Sequence, residues 1–261
     1  MKLQVLVSAV NADAKELAEK MNLQTDALII DQCDRYAFEV FECKGKQIRC
    51  FSMAERGVGL SRNTALMRCD ADICLFGDED IVYEPGYEKI ILEEFEKHPE
   101  ADVLLFNVKV CEERRTYWND SYGRVHRYNS GRYPAYSIAA RRSRLVIKNI
   151  SFHLCFGGGA KYSNGEDSIF LRDAIRSGLK VYKTPAQIGE EIQRPSTWFH
   201  GFNDKFFYDR GVLYGELYGP VMAPVRAWRW MQKNKDTFFA EYPRSKAMDM
   251  MKKGWRDGIV P

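Results

Sequence analysis

Residues 73–83 read ICLFGDEDIVY, an apolar run that ends in an acidic triplet. An apolar run of this length predicts a buried strand. Because residues two apart in an extended chain point the same way, Asp78 and Asp80 can converge on one ligand while Glu79 faces elsewhere. Paired carboxylates suit a hard divalent cation such as Mn²⁺ or Mg²⁺. A solvated turn would explain the same residues, but open α/β sheets bind their ligands beyond the strand ends, which favours a site.

Four further apolar runs have the length of strands, and segments with helical spacing lie between several of them. The runs cover residues 3–10, 27–30, 48–53 and 103–110. Helical patterns cover residues 13–21 and the residues after Pro85, which is suited to the first turn of a helix. This alternation predicts an α/β fold whose central sheet is covered by helices on its faces.

A second acidic pair follows a glycine-rich segment. Residues 157–170 read GGGAKYSNGEDSIF, in which Gly165 allows a tight turn before Glu166 and Asp167 at the start of a helix. The helix N-terminus would keep Asp167 ionised at neutral pH, while a nearby diphosphate would raise its pKa. An ionised, positioned carboxylate can deprotonate an attacking hydroxyl. The alternative is an acidic pair that only stabilises the helix dipole. Gly178 would end this helix, and residues 179–184 would form the next strand.

Between residues 112 and 142 the periodicity is lost, and aromatic residues are scattered among arginines. The aromatic residues are Tyr117, Trp118, Tyr122, Tyr128, Tyr133 and Tyr136. This segment is predicted to be a long surface excursion. Aromatic faces with interleaved hydrogen-bond donors suit a carbohydrate, and packing of the same rings against the core explains them equally well.

The chain has 261 residues, which is enough for one main domain and an appendage. It contains no run of about 20 apolar residues of the kind that spans a membrane. The apolar first ten residues are interpreted as a strand and not as a signal peptide. The seven cysteines are odd in number and contain no CxxC pair, which favours reduced thiols in a cytoplasm over disulfides or a structural zinc.

The net charge of +3 is distributed unevenly. Residues 110–150 and residues 226–256 each contain nine Lys or Arg against three Asp or Glu. Such clusters are either solvated surfaces or sites that attract phosphates, whether in a nucleotide, a lipid diphosphate or an anionic membrane face. The segment from Gly211 onward is rich in Tyr, Trp, Met and basic residues and is predicted to be a helical appendage.

Taken in chain order, these segments resemble a family 2 glycosyltransferase of the GT-A fold. The segments are the strand at 3–10, a helix that carries Arg62 and Asn63, the turn at 76–80, and residues 165–167 before an apolar helix. The resemblance covers about residues 1 to 210 and implies a Rossmann-like mixed central sheet flanked by helices. Residues 1–210 would be the catalytic domain, with a donor-binding half at 1–110 and an acceptor-side half at 111–210. Residues 211–261 would be a C-terminal helical extension.

The resemblance also implies a reaction, an inverting and metal-assisted transfer from a nucleotide sugar to a glycan or lipid-linked glycan. A UDP sugar is the default donor. The implied residues are Asp167 as the base, Asp31, Arg62, Asp78 and Asp80 at the donor, Glu166 and Trp198 on the acceptor side, and Asp80, Asp78 and His200 around Mn²⁺ or Mg²⁺. The resemblance implies no nucleic-acid partner. The protein would act in the cytoplasm, with a peripheral contact at the inner face of the membrane.

Two features of the sequence depart from the family's usual pattern. Residues 31–34 read DQCD where relatives carry Asp-Gly-Ser-x-Asp, so the nucleotide contact is assigned to Asp31 in preference to Asp34. The Gln-x-x-Arg-Trp signature of processive polysaccharide synthases is absent after the second acidic pair. Transfer of a single sugar is therefore expected.

Other functions fit parts of the same sequence. Residues 78–82 satisfy the D-x-D-x-V pattern of aspartate-nucleophile phosphatases, which usually place it on their first strand. A nucleotidyltransferase would need a glycine-rich basic loop after the first strand, and none is found. A non-catalytic, membrane-associated scaffold on the same fold would use Trp228, Trp230 and Trp255 at an interface, where the same tryptophans could instead cover a core.

Overall fold

The computed structural model describes residues 1–192, 201–235 and 242–258, in which ten strands form one mixed sheet. The strands are β1 Leu3–Val10, β2 Asp26–Gln32, β3 Ala37–Cys43, β4 Lys46–Met53, β5 Ile73–Asp78, β6 Ile81–Tyr83, β7 Val103–Lys109, β8 Gly123–Arg124, β9 Ile138–Arg141 and β10 Val181–Glu191. Their order in the sheet is β3-β4-β2-β1-β5-β9-β7-β10-β6, and β8 pairs with β10. The predicted α/β class is confirmed.

Helices cover both faces of the sheet. They are α1 Ala14–Lys20, α2 Val58–Arg68, α3 Tyr87–Lys97, α4 Arg142–Ile147, α5 Glu166–Arg176, α6 Asp204–Lys233 and α7 Arg244–Asp257. Alternate residues of β1 enter opposite cores, because side chains alternate across a strand. Val5 and Val7 pack with the buried residues of α1 and α3, while Leu6 packs with those of α2 and α5.

The parallel strands bring their carboxyl ends to one edge of the sheet. β1 pairs in parallel with β2 on one side and with β5 on the other. Asp31 of β2 lies opposite Ala9, and Asp78 of β5 lies opposite Ser8. The first acidic turn and the predicted nucleotide contact therefore reach the same edge on either side of β1.

The segment between residues 112 and 142 is only partly a surface excursion. Its last residues form β9, which lies antiparallel between β5 and β7 in the middle of the sheet. Tyr117 and Tyr133 are buried, and the Tyr117 hydroxyl donates to the Phe106 carbonyl at 2.8 Å. For these two rings, packing against the core, which the sequence left open, is confirmed. Tyr128 and Trp118 are exposed, in keeping with the prediction.

The strand predicted at 179–184 continues further than expected, as β10 to Glu191. Pro185 marks the predicted end because proline cannot donate a ladder hydrogen bond. In the structure the register of β10 against β7 shifts between Lys183 and Gln187, so Pro185 lies at an irregularity and pairing resumes beyond it. This extension brings the end of β10 to the acidic turn after β5.

The C-terminal helices α6 and α7 pack against each other at glycines. A Cβ atom on Gly211 would collide with the backbone of Met251, and one on Gly254 would collide with the backbone of Tyr208. Their apolar side chains form a separate core that also contains Ile169 of α5. The first of these helices begins at Asp204, seven residues before Gly211, where the sequence places the start of the helical appendage. No described helix is both long enough and apolar enough to cross a membrane.

Candidate active site

The acidic turn after β5 is fixed at both ends. The Glu79 carboxylate accepts a hydrogen bond from the Val10 N–H at 3.0 Å, which ties the turn to the end of β1. The Asp80 carbonyl accepts from the Ile192 N–H at 2.8 Å, which ties it to the end of β10. Glu79 is thus directed to the backbone of β1, as the alternation of side chains predicted.

Arg62 joins the two acidic pairs that the sequence singles out. From α2, its guanidinium donates to Asp78 Oδ1 and to Glu166 Oε1, each at 2.7 Å. The Arg62 side chain is only 4% exposed, and its face lies 5.2 Å from the Phe152 ring centre. Burial alone would lower the Arg62 pKa, but the charges of Asp78 and Glu166 outweigh burial and raise it. The ion pairs therefore hold the end of β5 beside the start of α5.

Asp80 is largely buried and lies near two other carboxylates. Burial, followed by the charges of Asp78 and Glu191, raises the pKa of Asp80 to about 7, while Arg114 opposes the shift. A bound divalent cation would add positive charge beside these carboxylates, and hard carboxylate oxygens are suitable ligands for Mn²⁺ or Mg²⁺. Within the described residues, no group of three or more His, Cys, Asp or Glu is arranged to hold a metal ion. His200, the third predicted ligand, lies outside the described residues.

Sequence reasoning missed Glu191 and Arg114 at this edge. Glu191 ends β10, its side chain is largely buried, and it pairs with Arg114 at 2.7 Å. Burial raises the Glu191 pKa, with Asp78 adding to the shift and Arg114 opposing it. Residues 187–191, shortly after Pro185, read QIGEE. A prediction that continued the strand through the proline would have placed Glu191 at the end of that strand.

Asp167 stands in the first turn of α5 and is partly accessible to solvent. The preceding Gly165 has φ 110°, a left-handed conformation that suits glycine and turns the chain into the helix. Asp167 Oδ1 accepts from the Ser168 N–H at 2.6 Å. Despite that bond and the positive charge of Arg62, burial and then the charge of Glu166 raise the Asp167 pKa.

This shift opposes the stabilisation of ionised Asp167 that the helix N-terminus is expected to give. The N-terminal backbone favours the charged form, but removal from water and the neighbouring Glu166 carboxylate favour the neutral form more. The sequence shows the helix start and does not show the burial. A carboxyl group whose pKa is raised is a stronger proton acceptor once it is ionised.

The predicted nucleotide contact at the end of β2 is buried and accepts one hydrogen bond within the described part of the chain. Asp31 Oδ1 accepts from the Ala12 N–H at 3.0 Å, and the residue is 1% exposed. Asp34 is exposed and pairs with Arg56 at 2.6 Å. Gln32, between them, accepts from the Gly57 N–H at 2.8 Å and so holds the loop before α2. Of the two aspartates, Asp31 is thus the one that is buried at this edge.

The acceptor-side predictions fall on two different parts of the chain. Glu166 lies between Asp167 and Arg62, in contact with the latter. Trp198 lies outside the described residues. The roles assigned to Asp31, Arg62, Asp78, Asp80, Glu166 and Asp167 stay predictions, since the geometry shows where they lie and not what they bind.

Comparison with known proteins agrees with this architecture. The sequence model described as Glycosyl transferase family 2 matches residues 25–162, more than half of the chain. A search of curated proteins finds no match. The structure is similar to that of Staphylococcus aureus TarS 1-349 in complex with UDP-GlcNAc, with TM-score 0.66 and 15% identity over 100% of this chain and 82% of that one.

A second solved structure of the same fold comes from a different organism. It is the mannosyltransferase PcManGT from Pyrobaculum calidifontis in complex with GDP-Man and Mn²⁺, with TM-score 0.50 and 12% identity over 97% of this chain and 73% of that one. At these identities the structural likeness shows the fold alone, and the match of the family model shows the family. The chain belongs to glycosyl transferase family 2 and is a glycosyltransferase of the GT-A fold.

Proposed function

We propose that this glycosyltransferase moves one sugar, with inversion, from a nucleoside-diphosphate sugar to a hydroxyl of a glycan or lipid-linked glycan. The observation that carries this proposal is the pair of ion contacts from Arg62 to Asp78 and Glu166. These contacts link the turn that carries Asp78 and Asp80 to the first turn of α5, which carries Asp167. UDP is the default nucleotide, because one of the similar structures contains UDP-GlcNAc.

In the proposed mechanism Asp167 accepts the proton of the acceptor hydroxyl as its oxygen attacks the anomeric carbon. The bond to the nucleoside diphosphate breaks on the opposite side of that carbon, so the configuration inverts. Asp167 suits this role because its raised pKa gives it basicity and its place in α5 is fixed. Glu166 would position the acceptor side of the site through its contact with Arg62.

Asp78 and Asp80 would hold a divalent cation, Mn²⁺ or Mg²⁺, with His200 as a further ligand. When bound, the cation would neutralise charge on the departing diphosphate. Asp31 would accept a hydrogen bond from the ribose or base through the oxygen that Ala12 does not use. Arg62 would act on the donor through Asp78, because both of its terminal nitrogens already bind carboxylates.

Two further proposals concern the chain as a whole. Residues 1–210 would provide the catalytic machinery and residues 211–261 the extension, with α6 continuous across the division. Val221, Val225 and Trp228 form an exposed apolar stripe on α6, with the spacing of one helix face. Peripheral contact with the inner membrane face would use this stripe.

The family membership leaves the phosphatase alternative without support. Asp78, the nucleophile in that reading, is held by Arg62. Metal-dependent hydrolysis of a nucleotide sugar distinguishes an enzyme from a catalytically inactive scaffold on the same fold, because only the enzyme would perform it.

The deciding experiment is a thermal-shift screen of UDP, GDP, TDP and CMP, each with and without Mn²⁺. A ligand that binds the folded state raises the melting temperature by mass action. We expect one nucleoside diphosphate to stabilise the wild type only with metal, and Asp80→Asn to lose that effect. Asp120→Asn, which changes an exposed carboxylate with no role in the proposed site, is the matched control. If no nucleotide shifts the melting temperature under any metal condition, the proposed donor site is refuted.

A further inference from the structure

A strongly basic cavity opens beside α5, the helix that carries the proposed base. It has a volume of about 280 Å³, near the lower end of the range of roughly 300–1,000 Å³ typical of ligand pockets. Its walls come from the loop at 127–131, from α5 and from α6. Ser168, the residue after Asp167, lies in its wall. A ligand in this cavity would therefore lie along the helix whose first turn carries Asp167.

Four arginines contribute to the lining of this cavity. Arg172 and Arg176 lie on α5, one and two turns after Ser168, while Arg127 and Arg226 come from the loop and from α6. Helical residues four apart share a face, so the α5 arginines and Ser168 are directed to the same side. Three separate elements thus bring guanidinium groups to one small space.

Among the described residues, carboxylates neutralise one of these four arginines. Arg172 is buried and donates to the Asp173 carboxylate at 2.8 Å, to the Glu216 carboxylate at 2.9 Å and to the Glu216 carbonyl. Arg127, Arg176 and Arg226 have no carboxylate partner within residues 1–192, 201–235 and 242–258. Arg226 also has a buried Nε–H without an acceptor among those residues. Uncompensated like charges repel each other, so the cavity attracts an anion.

We propose that this cavity binds a phosphate group of the acceptor substrate. A guanidinium presents pairs of N–H donors in one plane, and these match pairs of phosphate oxygens. The three guanidinium groups of Arg127, Arg176 and Arg226 offer more donors than a single carboxylate can accept. Tyr128 lines the same cavity and is 65% exposed, which offers an aromatic face to an adjoining sugar ring. The inference rests on the proposed glycosyl transfer, because it names the class of acceptor as a phosphorylated one.

The phosphate could be borne by a lipid headgroup or by a water-soluble glycan. Met222 of α6 lines the cavity and is exposed, and it lies beside the apolar stripe described above. A lipid-borne phosphate would bring the stripe to the membrane, whereas a soluble one would not. The chemistry of the cavity is the same in both cases, so the experiment needs one measurement for each source.

The first measurement is a thermal-shift titration with inorganic pyrophosphate in metal-free buffer. The test variant is Arg176→Ala/Arg226→Ala, and the matched control is Arg229→Ala, an exposed arginine on α6 outside the cavity. We expect pyrophosphate to stabilise the wild type and Arg229→Ala. We expect its affinity for the double variant to be lower by at least about tenfold. Arg176→Lys/Arg226→Lys keeps the charge and loses the fork, so it should recover only part of the binding.

The titration is repeated on Asp80→Asn, which removes a carboxylate of the proposed donor site. A pyrophosphate shift that survives in Asp80→Asn and is lost in Arg176→Ala/Arg226→Ala assigns the anion to the cavity, whatever the nucleotide screen shows. Equal shifts in the double variant and in Arg229→Ala would overturn the proposal, as would no shift in the wild type. The nucleotide screen fails or succeeds separately, because it depends on metal and on Asp80.

The second measurement is co-sedimentation with vesicles of phosphatidylcholine, with and without phosphatidic acid. Binding that requires phosphatidic acid, and that Arg176→Ala/Arg226→Ala loses while Arg229→Ala keeps, identifies a lipid-borne phosphate. No vesicle binding beside a positive pyrophosphate titration identifies a water-soluble phosphate. A third outcome is that Arg176→Ala/Arg226→Ala and Arg229→Ala lose vesicle binding equally and show equal pyrophosphate shifts. That outcome would show attraction by surface charge alone and would contradict phosphate binding in the cavity.

Discussion

Arg62 donates to Asp78 at 2.7 Å from a side chain that is almost completely buried. The same guanidinium reaches Glu166 at an equal distance, so three charged groups from three elements share one buried contact. Net charge within the group is negative, since two carboxylates share one guanidinium. The first prediction follows from this contact.

Arg62→Met should destabilise the protein by about 3–5 kcal/mol, because it leaves two partly buried carboxylates without their cation. The control is Arg115→Met, which removes an exposed pair with Glu112 at 3.9 Å and should cost about 1 kcal/mol or less. Urea unfolding followed by circular dichroism measures both. Equal effects of the two substitutions would show that Arg62 is not a structural link between the acidic pairs.

Asp167→Asn should lower the rate of sugar transfer by roughly 10²–10⁴-fold, the usual contribution of a general base. Nucleotide binding should persist, because the amide replaces a group on the acceptor side. Transfer is measured with a radiolabelled donor, and UDP binding with the thermal-shift titration. Loss of nucleotide binding together with transfer would show that Asp167 belongs to the donor site instead.

The same substitution should change stability in a pH-dependent way. The folded-state pKa of Asp167 lies above its ordinary value of 3.8, so folding favours the protonated form. That contribution is fully present below the unfolded pKa and is lost as pH rises through the raised folded pKa. Asparagine does not titrate, so Asp167→Asn should gain stability relative to the wild type as pH rises. The test is to measure the urea midpoints of both proteins from pH 4 to pH 8. A difference between the two midpoints that stays constant over this range would contradict the burial argument.

Asp31→Asn should weaken nucleotide binding about tenfold, while Asp34→Asn should leave it nearly unchanged. Asp31 lies near the end of β2, and Asp34 lies two residues beyond that strand. Asp31 is buried, whereas Asp34 is exposed and paired with Arg56. Competition by UDP against a fluorescent nucleotide measures both affinities. A larger effect from Asp34→Asn would reverse the choice between them.

Where apolar runs are long and buried, the sequence predicts the fold well. β1 begins and ends where the pattern places it, and α1 begins after Asp13, whose carboxylate caps it. β3 was missed because Glu39 and Glu42 interrupt its apolar residues, which leaves neither an unbroken apolar run nor a strict alternation. β9 was missed because it is only four residues long and lies in an aperiodic segment.

In the candidate site, local motifs could be located and their partners could not. Asp78, Asp80 and Asp167 lie at a strand end and a helix start, as their flanking residues predict. Glu191 comes near Asp80 through the pairing of β10, which depends on the whole sheet, and Arg114, from the segment after β7, contacts Glu191 there. The raised pKa of Asp167 likewise depends on burial that no local pattern encodes.

The position of β9 bears on how the enzyme could be divided. β7 ends at Lys109, and its two sheet neighbours, β9 and β10, both come from the second half of the catalytic region. A fragment that stops at residue 110 would leave β7 with two open edges and no partner on either side. The donor and acceptor halves therefore differ in the substrates proposed for them but share one folding unit, and neither could be exchanged between enzymes as an independent module.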